Sequence, residues 1–224
     1  MTPEKPTKIL LADDQDLVRL GFRLILESES DLRVVGEAAN GQEAVQMAAA
    51  EKPDIILMDV RMPILDGISA TSEIVAAHSG ARIIMLTTFD LDRYAFSALR
   101  AGASGFLLKD STPADLLAAI RAVASGDATK ATRVTRSMLE MYAKPPLPGS
   151  AQQGHSDPTS VLTPREREVL LAIGEGLSNG EIGARFFLTE STVKTHVGRV
   201  LAKLQLRDRV HAVIYTYENN LIEH

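Results

Sequence analysis

The sequence predicts an α/β fold followed by an all-α bundle, and three observations carry that reading. Short apolar runs alternate with helical patterns five times between Lys8 and Gly126. Several of those runs end abruptly in a charged or hydroxyl residue: Asp13-Asp14, Asp59, Thr87-Thr88 and Lys109. After a Pro-, Gly- and Ser-bearing stretch, the remainder holds four short helical patterns, each opened by a residue that caps helices.

The first run is Lys8-Ile9-Leu10-Leu11-Ala12, and a helix follows from Asp16 to Ser28 with Leu17, Leu20, Phe22, Leu24, Ile25 and Leu26 as its apolar stripe. Arg33 to Ala38 reads as a second strand, and Asn40-Gly41 precedes an Ala-rich helix, Gln42 to Glu51. Ile55-Ile56-Leu57-Met58 is uninterrupted and apolar, the mark of a strand buried on both faces. A helix is expected from Ile68 to His78, a fourth strand from Arg82 to Leu86, a helix from Leu91 to Arg100 and a fifth strand from Gly105 to Leu108. Thr112-Pro113-Ala114-Asp115 combines a capping hydroxyl, a first-turn proline and an acid three residues on, and so starts the next helix. Strands joined by helical crossovers form a parallel sheet covered by helices. Five of them suit the flavodoxin-like order 2-1-3-4-5, whose ligand crevice lies at the carboxyl ends of strands 1 and 3.

That topology gathers Asp13, Asp14, Asp59, Thr87 and Lys109 at one edge. Each has a plain reading: Asp59 can cap a turn, Lys109 can be a solvated strand end, and Thr87 is ordinary strand composition. Their joint placement favours a site. Clustered carboxylates repel and call for a hard, oxygen-liganded cation, most simply Mg²⁺. A lysine and a hydroxyl beside a cation-bound carboxylate suit phosphoryl transfer, with the carboxylate as nucleophile.

Composition bounds the rest. The chain has 224 residues, a formal net charge of -5, 45% hydrophobic residues and no cysteine, which excludes disulfides and thiolate metal sites. No apolar run approaches the ~18 residues that span a bilayer, and Met1 to Lys8 is polar with two prolines, so a cytoplasmic protein is expected. Residues 1–127 form the expected first domain and 128–160 a linker, with a short helix from Val134 to Tyr142 and three prolines within Pro145 to Pro148. Residues 161–224 form the second domain.

In that domain, Thr163 with Glu166 and Ser178 with Glu181 are capping boxes, while Thr189 and Asp208 cap two further helices, Glu190 to Leu204 and Arg209 to Glu218. The brief Phe187-Leu188 turn suggests a helix-turn-helix. Val193, Val197, Val200 and Leu204 repeat at inward spacing, and Lys194 to Arg209 holds five basic residues and one acid, a local charge of +4. Such a helix fits the major groove, although a solvated helix in a structural bundle has the same charge pattern.

Asp13-Asp14, the run Met58-Asp59-Val60-Arg61-Met62-Pro63 with Asp66-Gly67, Thr87 and Leu108-Lys109 resemble a response-regulator receiver domain over residues 8–126. Leu162-Thr163-Pro164-Arg165-Glu166, Gly176-Leu177-Ser178-Asn179 and Thr192-Val193-Lys194-Thr195-His196-Val197 resemble a LuxR-type DNA-binding domain. Together they look like a NarL/FixJ-family two-component response regulator. The resemblance implies that Asp59 accepts a phosphoryl group from a sensor histidine kinase. It implies Mg²⁺ held by Asp13, Asp14, Asp59 and the Arg61 backbone carbonyl, phosphoryl oxygens bound by Thr87 and Lys109, and a switch formed by Thr87 and Phe106. It further implies promoter DNA met by Thr192, Lys194, Thr195, His196, Arg199 and Lys203, and a homodimer through Val210, Val213, Ile214 and Tyr217. This chain departs from the family pattern at Asp110, where many receivers carry proline, and at Gly198, where some relatives carry a basic residue. A Mg²⁺-dependent phosphatase with an aspartyl-phosphate is the enzymatic alternative, but such enzymes carry a second aspartate where this chain has Arg61.

Overall fold

The computed structural model describes residues 5–77, 80–88, 97–125, 158–219 and 221–222. They fall into two compact units, one running to Ser125 and one from Pro158 onward. The expected linker helix, Val134 to Tyr142, lies outside the described residues, as does the part of the expected Leu91 to Arg100 helix before residue 97.

The first unit contains strands β1 (Thr7–Ala12), β2 (Leu32–Ala38), β3 (Ile55–Asp59), β4 (Arg82–Thr87) and β5 (Gly105–Leu108). All pair in parallel in the order β2-β1-β3-β4-β5. The connecting helices are α1 (Asp16–Glu27), α2 (Gly41–Glu51), α3 (Gly67–Ala77), α4 (described over residues 97–101) and α5 (Pro113–Ser125). This is the expected flavodoxin-like sheet. Every residue of β3 is buried, because β1 and β4 flank it and helices cover both faces.

Helix α1 differs from its expected stripe. Phe22 and Leu26 are buried, with Val18 and Ile25 packed against the same core, and each fully buried side chain of this size contributes about 1.5–3 kcal/mol. Leu17, Leu20 and Leu24 are instead 84%, 50% and 63% exposed. Their spacing of three and four residues puts them together on the opposite face, so the helix is apolar on two sides and only one meets the sheet.

The loop after β3 positions the site. Gly67 N–H donates to Val60 O at 3.0 Å, and a Cβ at Gly67 would overlap the Asp59 carbonyl oxygen. Leu65 N–H donates to Pro63 O at 2.7 Å with Ile64 at φ 68°, a three-residue turn that a β-branched residue enters only with strain. Gly41 N–H donates to Leu65 O at 3.0 Å, which pins this loop to α2.

The second unit is a four-helix bundle of α6 (Pro164–Gly174), α7 (Asn179–Phe186), α8 (Glu190–Lys203) and α9 (Arg209–Glu218). Each forms where its cap predicts. The capping boxes at Thr163/Glu166 and Ser178/Glu181 are complete, and Thr189 and Asp208 accept from Thr192 N–H and His211 N–H. Val169, Leu170, Ile173, Ile182, Val193, Val197 and Val200 make the core. The turn between α7 and α8 closes through Leu188 N–H to Gly183 O at 2.9 Å, with Phe187 at φ 57°.

Two glycines of this unit give opposite expectations. A Cβ at Gly183 would sit 2.7 Å from Leu188 O, whereas one at Gly198, in the middle of α8, meets nothing within 4 Å. Gly198→Ala should therefore raise stability by about 0.5–1 kcal/mol from helix propensity, and Gly183→Ala should lower it by about 1–3 kcal/mol. Urea unfolding of the full chain followed by circular dichroism checks both. Equal effects of the same sign would contradict the closed turn.

Candidate functional site

The strand ends build the first site. β1 runs into Asp13, which is buried, and Asp14, which is exposed; β3 ends in Asp59, β4 in Thr87, and β5 is followed by Lys109. The carboxylates of Asp13, Asp14 and Asp59 each place an oxygen within 4.8 Å of the others. Lys109 Nζ lies 2.7 Å from Asp13 Oδ2 and 3.0 Å from Asp59 Oδ2, so one ammonium bridges the two buried acids. The Asp13 contact is an ion pair without the angle of a directed hydrogen bond. Lys109 N–H donates to Thr87 O at 2.8 Å, which fixes the lysine beside the hydroxyl-bearing strand end.

Burial pushes the Asp59 carboxyl above its usual range; the Lys109 hydrogen bond and charge oppose the rise, the Asp13 charge adds to it, and the Arg61 N–H opposes it weakly. A cavity of about 240 Å³ opens over Asp59, lined by Asp14, Gln15, Arg61, Thr87, Thr88 and Lys109 among others. Its lining combines carboxylate oxygens with the Lys109 ammonium and the Thr87 and Thr88 hydroxyls. A hard cation and a phosphoryl-sized anion have the right partners there. Phe106, on β5, is 2% exposed and pairs in register with Met85.

Sequence reasoning missed Gln15 and Arg19, and it noted Thr88 as a strand end without giving it a role. Arg19 donates through Nη1 to the Asp13 backbone carbonyl and pairs with Asp16. Its only sequence signal is a basic residue on the first turns of the helix after the acid pair.

The second site is α8. Thr192, Lys194, Thr195, Arg199 and Lys203 are exposed, and His196 is half-buried. Lys194 lies 3.5 Å from Glu190, and Thr195 Oγ1 donates to Ser191 O at 3.1 Å. Lys203 is already occupied: its Nζ is 2.6 Å from Glu166 Oε2, and this bond, with the Thr163 N–H, holds the Glu166 carboxyl down at about 2. The local charge of +4 overstates what faces outward. Arg209 is buried, with Nη1 donating to Asn179 Oδ1 at 2.8 Å, and burial lowers Arg207. On α9, Val210, Val213 and Ile214 are buried and Tyr217 is half-buried. Val213 and Tyr217 belong to the bundle core.

Comparison with known proteins gives the family of both units. Residues 9–121 match the model of the response regulator receiver domain, and residues 160–216 match that of bacterial regulatory proteins of the luxR family. The chain is 42% identical to the transcriptional regulatory protein YxjL of Bacillus subtilis (strain 168) over 96% of its own length and 97% of that protein's. It is 40% identical to the transcriptional regulatory protein LiaR of the same organism, over 96% and 99%. Among solved structures, the response regulator ChrA of a heme-sensing two-component system matches 98% of this chain and 100% of its own, with 33% identity and a TM-score of 0.51. The chain belongs to the NarL/FixJ-type response regulators, DNA-binding transcriptional regulators of two-component systems that join a receiver domain to a LuxR-type helix-turn-helix domain.

Proposed function

We propose that Asp59 is the phosphoacceptor and that its phosphorylation by a sensor histidine kinase controls dimerisation and promoter binding. The observation that carries this reading is the Lys109 bridge between Asp13 and Asp59 at the floor of a cavity that Asp14 and Thr87 also line. The Asp59 carboxylate attacks phosphorus in line; a P–O bond forms as the donor's P–N bond breaks, and the kinase imidazole leaves. Lys109 favours the ionised Asp59 against its burial and then turns to the phosphoryl oxygens, with the Thr87 hydroxyl as a second donor. The all-oxygen donor set of Asp13, Asp14, Asp59 and the Arg61 carbonyl fits Mg²⁺. When bound, Mg²⁺ neutralises charge on the phosphoryl oxygens as the bond forms. Thr87 and Phe106 are the proposed switch pair, because they lie on neighbouring strands that end at the site.

The domain limits we assign are 1–127, 128–160 and 161–224, in the cytoplasm, where kinase and chromosome are both within reach. The chain acts once per phosphorylation rather than as an enzyme: Arg61 stands where a phosphatase would place its acid–base aspartate. Thr192, Lys194, Thr195, His196 and Arg199 face promoter DNA. Lys203 joins them only by leaving Glu166. A homodimer through α9 must use side chains that the bundle core already engages.

Two outcomes are expected. Asp59→Ala should keep the fold and basal DNA affinity. It should lose the gain of about 5–150-fold that a phosphodonor gives the wild type, the usual range of coupling between sites. Fluorescence anisotropy on a promoter fragment measures this, and a variant that still responds contradicts the reading. The second outcome concerns stability. Because the folded-state pKa of Asp59 is raised, its ionised form burdens the fold at neutral pH, and stability is lost as pH rises through that folded value. Asp59→Asn should thus raise the thermal midpoint at pH 7 in EDTA. The advantage should shrink as pH falls through the folded value and vanish below the ordinary aspartate value, where both states of the wild type are protonated.

A further inference from the structure

We propose that Arg19 is a positioning residue for the cation site, holding the Asp13-Asp14 pair in the conformation that binds a hard divalent ion. The inference rests on the cation-site reading above and deepens it. Asp13 lies one residue past the end of β1, where the ladder gives it only the Asp13 N–H to Ala38 O bond at 3.1 Å. Its carboxylate is held on one side by the Gln15 N–H at 2.9 Å and on the other by Lys109. The Asp13 carbonyl begins the peptide that aims Asp14, and Arg19 reaches back from α1 to donate to it. The same guanidinium pairs with Asp16 in the first turn of α1, and its Nε lies 3.5 Å from Glu37 Oε2 on β2. Its side chain is 13% exposed. One planar fork therefore hydrogen-bonds to the peptide after β1 and to the start of α1, and pairs by charge alone with Glu37 near the end of β2, at the root of the acid pair. Only arginine presents enough donors in fixed directions to do this; an ammonium is a single point. Groups behind metal ligands act in this way, by orienting the ligands rather than touching the ion.

The sign of the effect separates positioning from charge. Removing a nearby cation without disturbing geometry should tighten binding of a divalent ion, whereas loss of orientation should weaken it. Arg23 is the control. It lies one turn further on α1 and shares the partner Glu37, together with Glu27 at 3.0 Å, without touching Asp13.

The test is Mn²⁺ titration of the full chain, followed by electron paramagnetic resonance and by competition with Mg²⁺, since Mn²⁺ accepts the same hard oxygen donors. Circular dichroism and thermal midpoints are recorded beside it. Arg19→Met should bind Mn²⁺ about tenfold or more weakly than the wild type, and Arg23→Met should bind as the wild type does. Equal or tighter binding by Arg19→Met, or equal weakening in both variants, overturns the proposal. No binding by the wild type overturns the cation-site reading itself, a distinct outcome. If Arg19→Met fails to fold, Arg19→Lys keeps the charge and loses the fork: weaker binding supports the proposal and unchanged binding overturns it.

Discussion

Two carboxylates cannot be buried side by side without an answering charge, and the receiver half of this chain is arranged around that constraint. Asp13 and Asp59 are both buried, with oxygens within 4.8 Å of each other. At an effective dielectric constant of about 20 such a pair repels by on the order of 3 kcal/mol. Lys109 answers by lying between them. The sheet order makes this possible, because β1 and β3 are neighbours and β5 brings the lysine from the far edge. The packing around Gly67, with no room for a Cβ against the Asp59 carbonyl, and the tight turn at Ile64 hold the loop beside this cluster. One cation for two buried acids, with a third acid exposed beside them, leaves an excess of negative charge and an open cavity. A fold that retains such a burden gives up stability for chemistry.

The DNA-binding half uses charge differently. Glu166 completes the capping box of α6 and also receives Lys203 from the end of α8, so the start of the bundle and the end of the presented helix share one carboxylate. Arg209 ties the start of α9 to Asn179 and Leu177 around the start of α7. Glu166 ties α6 to α8 and Arg209 ties α9 to α7, while Thr192, Lys194, Thr195 and Arg199 remain exposed on α8. Part of the basic character of this region thus shapes the bundle, and the rest stays exposed.

The fold was legible because its signals are local. An uninterrupted apolar run marked β3, and capping residues marked the start of every helix in the second half. The acid, hydroxyl and lysine at the strand ends became a cluster once the strand order was inferred. What escaped reading depends on direction or distance. Hydropathy could not tell that Leu17, Leu20 and Leu24 face away from the sheet, since α1 is apolar on two sides. A count of basic residues could not tell that Arg209 points inward or that Lys203 meets a glutamate 37 residues earlier. Arg19 gave only a weak signal, because its contacts with the Asp13 carbonyl and Glu37 depend on the fold rather than on local spacing.

Asp59, alone among the clustered acids, is proposed to take the phosphoryl group, with a divalent cation beside it. Intact mass after incubation with an acyl-phosphate donor, with Mg²⁺ and with EDTA, tests it on wild type, Asp59→Ala and Asp14→Ala. A single phosphoryl adduct is expected on the wild type with Mg²⁺, a strongly reduced yield in EDTA and in Asp14→Ala, and none on Asp59→Ala. An adduct on Asp59→Ala equal to that of the wild type, or one formed equally well in EDTA, would contradict it.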